Sequence, residues 1–194
     1  NTAESGQAVM ERLQQFIRLN VGKKRILVDI VQLIEESVSD IKALWLGRHG
    51  ENVSHVDWMI DLDKVSETYA NPTDIKEVIS NITLNALEAM PSGGRLEIRC
   101  YEEKEFINIV LIDTGIGMNE ETQKNIFAPF FSTNDDWGTG LGLAISYRIV
   151  ADHNGEIEVS SSVDEGSCFT VRLPINIELQ NNLEEHDDST DIDS

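Results

Sequence analysis

Cysteine is scarce in this chain: two in 194 residues, Cys100 and Cys168, each inside a strand-like run. Two thiols in such runs read as buried core residues of a reducing compartment and exclude a disulfide framework. Positive charge is scarce too. Fifteen Lys and Arg face 35 Asp and Glu, a formal net charge of −20, which argues against nucleic acid and anionic membrane surfaces as partners. Seven of the acidic residues fall between Glu178 and Ser194, a stretch with no Lys or Arg. No apolar run approaches the roughly 20 residues of a membrane span, and no signal-peptide pattern is visible. The chain starts at Asn1 in a helical pattern and not at a Met, the expectation for a fragment of a longer, cytoplasmic or membrane-anchored protein. What remains is ordinary globular material, 40% hydrophobic and 26% charged, enough for one domain with attachments.

The chain is organised around DIKEVISNITLNALEAM, Asp74 to Met90. Ile75, Val78, Ile79, Ile82, Ala86, Ala89 and Met90 recur at helical spacing, and Glu77, Asn81, Asn85 and Glu88 form a polar stripe beside them. Asn is a poor helix former, and its carboxamide oxygen is a hard ligand suited to magnesium. The plain alternative is the solvated face of an amphipathic helix.

Around it, residues 5–20 carry Val9, Leu13, Phe16 and Ile17 on one face and read as an amphipathic helix, broken at Gly22-Lys23-Lys24-Arg25. Residues 29–46 predict a second helix, capped by Asp29 and ended by Gly47 and Gly50. Residues 53–62 alternate as a strand with one buried face. Asn71 or Thr73 caps the central helix, and Pro91-Ser92-Gly93-Gly94 stops it. Strands follow at 95–101 and 106–112, the second apolar nearly throughout, as inside a sheet. A short helix at 120–127, a loop from Ala128 to Trp137, a helix at 141–153 closed by Asn154-Gly155 and a hairpin at 156–162 and 167–174 complete the pattern. Residues 176–194 read as a disordered acidic tail. The order implies an α/β fold, a two-layer sandwich with a mixed sheet and helices on one face.

Two glycine motifs carry chemistry. Asp113 ends a buried strand and opens DTGIGM, whose glycines permit a tight turn and close approach of a flat ligand; an acceptor carboxylate there can take the exocyclic amine of adenine. A plain strand-end turn uses the same residue types. Gly138, Gly140 and Gly142 lead into a helix, where backbone N–H groups and the helix dipole suit a polyphosphate. The pattern is neither a GK[ST] phosphate loop nor a dinucleotide turn after a first strand.

The order NITLNALEAM, DTGIGM, IFAPFFST, GTGLGLAIS resembles the N, G1, F and G2 boxes of sensor histidine kinases, in the GHKL ATPase superfamily shared with gyrase, MutL and heat-shock chaperones. The resemblance covers residues 25–175 and is nearest to nitrogen-regulation and sporulation kinases. It implies the catalytic domain of a two-component kinase, which binds Mg²⁺–ATP and passes the γ-phosphate to a histidine outside this chain. By resemblance Asn81 and Asn85 hold Mg²⁺, Asp113 reads adenine, Gly115 and Gly117 line the base pocket, and Ser167 aids the adenine contact. Phe130, Thr133, Gly138, Thr139, Gly140, Leu141 and Gly142 complete the ATP site, with residues 128–139 as its lid. Residues 1–24 become the end of a dimerisation hairpin. The partners are that dimerisation domain, in a homodimer, and a response regulator, with no nucleic acid.

Two positions depart from the family pattern. Hydrolysing members place a Glu four residues before the metal Asn, where this chain has Asn81, so a general base for water is absent. The lid of the nearest relatives usually carries a Lys after FFST, where this chain has Asn134-Asp135-Asp136. Of the four histidines, His49, His55, His153 and His186, none sits on a helix of the dimerisation type. A regulatory module without transfer, an anti-sigma-type serine kinase and an acidic interaction domain remain as alternatives.

Overall fold

A computed structural model describes residues 24–49, 56–132 and 140–175. Five strands form one mixed sheet: β2 (Val56–Leu62), β4 (Gly94–Glu103), β5 (Phe106–Asp113), β6 (Glu156–Ser162) and β7 (Gly166–Pro174), in the order β2-β4-β5-β7-β6. Only β2 and β4 run parallel; the other pairs are antiparallel. The apolar FINIVLI run occupies the central strand, flanked by β4 and β7, and Ile107 to Leu111 are all buried. Helices α1 (Ile30–His49), α2 (Pro72–Glu88) and α4 (Gly142–Asp152) pack on one face, and the six-residue α3 (Glu120–Asn125) lies beside β6. Their apolar stripes meet Leu96, Ile98, Ile107, Ile109, Leu111, Phe169 and Val171 in one continuous core. The opposite face carries ion pairs such as Arg172 with Glu158 at 3.0 Å. The two-layer sandwich is thus borne out.

Several local expectations shift. β1 (Ile26–Val28) and β3 (Thr68–Ala70) form a separate two-stranded ribbon that periodicity did not reveal. Asp29 caps α1 through its Oδ1, which accepts from the N–H groups of Val31 and Gln32. Gly47 does not end that helix, which runs on to His49. Strand β2 has a less complete buried face than alternation suggested: Ile60 is 45% exposed, because an edge strand has a neighbour on one side only. Cys100 is buried, but Cys168 only half so, since it faces away from the helical layer. The arm at 5–20, the lid run at 134–136 and the tail at 176–194 lie outside the described residues.

Asn71 holds the start of α2. Its side-chain oxygen accepts from Asp74 N–H at 3.1 Å, its amide donates to Lys24 O, and its backbone N–H donates to His153 Nε2 at 3.1 Å. Nδ1 of His153 lies 2.8 Å from Ile149 O, so the ring is neutral with its proton on Nδ1. Arg25 reaches back to Asp152 O at the end of α4. Burial lowers the His153 pKa below 6.5, with Arg25 adding to the effect and Asp74 and Asp152 opposing it. A depressed folded pKa means the contribution is present above pH 6.5 and is lost as pH falls through the folded value. His153→Gln keeps an acceptor and a donor without titrating. It is expected to flatten the acid limb of a plot of thermal midpoint against pH; an unchanged limb would remove His153 as its cause.

Candidate nucleotide site

Helix α2 brings the two glycine motifs together. At its C-terminal end, Ala89 O accepts from Ile116 N–H at 3.0 Å, which seats the Asp113–Met118 turn against the helix. Gly115 is required there, since a Cβ would lie 2.6 Å from Ala89 O. Gly117 sits at φ +62°, and a Cβ would fall 1.8 Å from Ser162 O. Two turns earlier, Asn81 Nδ2 donates to Gly142 O at 3.1 Å and to Ser146 Oγ at 3.2 Å, which locks the first turn of α4 onto α2.

Asp113 shares the helix-facing side of β5 with Ile107, Ile109 and Leu111 and is 3% exposed. Gly115 N–H donates to Oδ1 at 2.8 Å, and Ser167, its partner across the sheet, sets its backbone N–H and hydroxyl beside the carboxylate. Burial pushes the carboxyl above its ordinary value, and these three donors oppose that shift. Such a buried, donor-fed acceptor is chemically fitted to an incoming N–H group.

At the other end, α4 begins at Gly142 with no side-chain cap on its first N–H groups, so they are open to an anion. Gly140 has φ +63° and packs on the backbone of Phe130 and Phe131, and Phe130 N–H donates to Gly140 O at 2.9 Å. Phe130, itself at φ 66°, presents its ring to solvent, whereas Leu141 is a core side chain with no exposure. With its amide engaged, the Asn81 oxygen has no donor among the described residues, nor has the half-buried Asn85 carboxamide one turn on. No group of three His, Cys, Asp or Glu that could hold a metal exists among the described residues. A cation here would rest on carboxamides plus a ligand's own oxygens, a hard set suited to Mg²⁺.

A cleft of ≈ 370 Å³ runs beside Asn81 and Gly142, lined also by Thr73, Lys76, Glu77, Ser80 and Ile145. Lys76 pairs there with Glu36 of α1. The cleft adjoins the α4 end of the site and does not reach Asp113. The structure therefore gathers Asn81 with Gly140, Leu141, Gly142 and Phe130 at the middle of α2, Asn85 one turn on, and Asp113, Gly115, Gly117 and Ser167 at its C-terminal end. Thr133, Gly138 and Thr139 lie outside the described residues. Lys76 and Ser80 gave no sequence signal, and neither did Gln123 and Ser161, which bond to the Met118 loop.

A family model described as "Histidine kinase-, DNA gyrase B-, and HSP90-like ATPase" matches residues 70–177. Sporulation kinase E of Bacillus subtilis (strain 168) is 40% identical over 126 residues, 64% of this chain and 17% of that protein. Signal transduction histidine-protein kinase AtoS of Escherichia coli (strain K12) is 39% identical over 175 residues, 89% of this chain and 28% of that protein. The chain thus spans less than a third of these relatives. The solved catalytic domain of histidine kinase ThkA superposes with a TM-score of 0.67 at 27% identity, covering 78% of this chain and 95% of that one.

Proposed function

The chain belongs to the histidine kinase-, DNA gyrase B- and HSP90-like ATPase family, and from that premise we propose that it is the ATP-binding catalytic domain of a sensor histidine kinase. The observation that carries this reading is the arrangement along α2. A buried carboxylate sits at the C-terminal end, seated on Ala89, and the two carboxamides lie four and eight residues back along the helix, about 6 and 12 Å at 1.5 Å per residue, with Asn81 beside an uncapped helix start. An adenine base and a polyphosphate fit those two chemistries in that order. Asp113 accepts from the exocyclic amine, with Ser167 beside it. The glycines at 115 and 117 admit the flat ring, and those at 140 and 142 expose N–H groups to the phosphates.

Asn81 and Asn85 would hold Mg²⁺, which neutralises charge on the phosphate oxygens when bound. Transfer breaks the bond from the γ-phosphorus to its bridging oxygen and forms a phosphorus–nitrogen bond on an acceptor histidine, whose proton leaves to solvent. The chain's part is to fix the nucleotide and exclude water. Asn81 is no base where a Glu would be, which favours a side-chain acceptor over hydrolysis and weighs against the serine-kinase alternative. Residues 1–24 are proposed as the end of the dimerisation hairpin, in a homodimer signalling to a response regulator from the cytoplasm.

Asn85→Ala is expected to weaken ATP-analogue binding in Mg²⁺ roughly tenfold or more, on the scale of about 1.5–3 kcal/mol for a polar bond to a charged partner. Binding without Mg²⁺ should change little, and calorimetric titration reads both. Unchanged Mg²⁺ dependence would return the stripe to a solvated face.

The function itself is tested by transfer. Mixed with radiolabelled ATP and a separate dimerisation hairpin bearing its histidine, the chain is expected to label the hairpin and not itself. Asn134→Lys adds a cation where the lid run has none and should raise the rate, since charge near the transferred phosphoryl group is stabilising. ATP binding with no labelling from either form would favour the regulatory-module reading.

A further inference from the structure

Asp113, Ser167 and Ser161 stand side by side across three strands. Asp113 pairs with Ser167 between β5 and β7, and Ser167 pairs with Ser161 between β7 and β6. The Ser161 and Ser167 hydroxyls are 3.0 Å apart. Either hydroxyl can donate in that pair. The Ser161 proton has a second acceptor, Gly166 O at 2.7 Å, while its oxygen accepts from Met118 N–H at 2.8 Å. Ser161 is therefore the point where the Ser167 hydroxyl, the Gly166 carbonyl and the Met118 N–H meet. Without it, the Ser167 hydroxyl loses its neighbour, and the Met118 N–H at the end of the glycine turn loses its acceptor.

Strand β6 is a sheet edge, and the N–H and C=O of Ser161 point off it. Gln123 of α3 takes both: Ser161 N–H donates to Oε1 at 3.2 Å, and Nε2 donates to Ser161 O at 2.8 Å. The same Nε2 lies 3.1 Å from Met118 O. One side chain thus replaces a missing strand and ties Ser161 to the Asp113–Met118 turn. Neither residue belongs to a glycine motif, and neither touches the position of the base.

We propose that Ser161 and Gln123 are positioning residues for base selection: Ser161 holds the Ser167 hydroxyl and the Met118 N–H in place beside Asp113, and Gln123 holds Ser161 against the Met118 turn. The inference rests on the adenine reading of this site. It assigns discrimination between adenine and other bases to a row of groups that extends past the pocket to α3.

The test compares binding of an ATP analogue, a GTP analogue and inorganic tripolyphosphate to the wild-type chain, Ser161→Ala, Ser161→Thr and Gln123→Leu, with thermal unfolding as the control for folding. Ser161→Ala is expected to lower ATP-analogue affinity roughly fivefold, the equivalent of one ordinary hydrogen bond. Affinity for tripolyphosphate should hold, so the preference for ATP over GTP narrows. Ser161→Thr restores the hydroxyl and the preference, and Gln123→Leu narrows it as Ser161→Ala does. A folded Ser161→Ala or Gln123→Leu that keeps the full preference overturns the proposal. So does equal loss for the ATP analogue and tripolyphosphate, which marks a merely structural role. A wild-type chain that shows no preference for ATP fails differently: it overturns the adenine reading itself.

Discussion

Asp113→Asn is expected to weaken ATP-analogue binding by about 1–3 kcal/mol, roughly 5- to 150-fold, with the fold intact. The carboxylate offers two oxygens to three donors from Gly115 and Ser167. An amide offers one oxygen and turns an N–H group toward the others or toward the base amine. Stability should move little or the other way. The Asp113 carboxyl is raised by burial above its ordinary 3.8. A raised folded pKa contributes stability that is fully present below that value and lost as pH rises through the folded pKa. At neutral pH the buried charge thus costs stability, and Asn removes that cost. Lost binding in a protein of equal or higher thermal midpoint marks a recognition residue. Retained affinity by calorimetry would dismiss Asp113 as the base reader.

Gly166→Ala should be strongly destabilising for a single added methyl. Gly166 has φ +93°, and its Cβ would lie 2.0 Å from Asp113 O and 2.9 Å from Thr114 Cα. Left-handed backbone costs about 1–2 kcal/mol, and overpacking adds about 1–3 kcal/mol. A total near 3 kcal/mol or more lowers the melting temperature by roughly 6–12 °C for a domain of this size. Nucleotide binding should fall with it, since the clash lands on the backbone of the base reader. Gly47→Ala is the contrast: nothing lies within 4 Å of the added carbon inside α1, and helix propensity gives a gain of about 0.5–1 kcal/mol. A Gly166→Ala protein that melts with the wild type would contradict the packing of β7 against the Asp113 turn.

The elements visible in the sequence are those whose burial imposes a period. FINIVLI could only be a central strand, and Asp74 to Met90 could only be a helix with one face in the core. Asp113 follows from the same logic, since it continues the inward-facing series of β5. Three-residue strands such as β1 and β3 hold too few residues to show alternation, so the ribbon escaped notice. Glycine usually ends a helix, yet contacts elsewhere along α1 carry the helix past Gly47. The contacts of Asn81 with Gly142 and Ser146 join residues about 60 positions apart, and no spacing rule reports them. Ser161 was hidden for another reason: in a strand of EIEVSSS, nothing distinguishes the serine that faces Ser167 from the two beside it until the register is known.

The bonds around Asn71 also bear on how mechanical load travels. The chain enters the domain at Lys24 and Arg25, bonded respectively to Asn71 at the head of α2 and to Asp152 at the foot of α4. Directly after them, β1 is zipped to β3 by three residue pairs. Tension on the incoming chain is therefore borne first by these two bonds and then by the short seam, and both helices that frame the site carry the bonds at the ends farthest from the site. A pull that peels β1 away has already broken the two bonds, whereas a pull resisted by the ribbon leaves the site undisturbed. The ribbon, three residues long on each side, acts as the fuse between whatever lies upstream and the geometry that faces the phosphates.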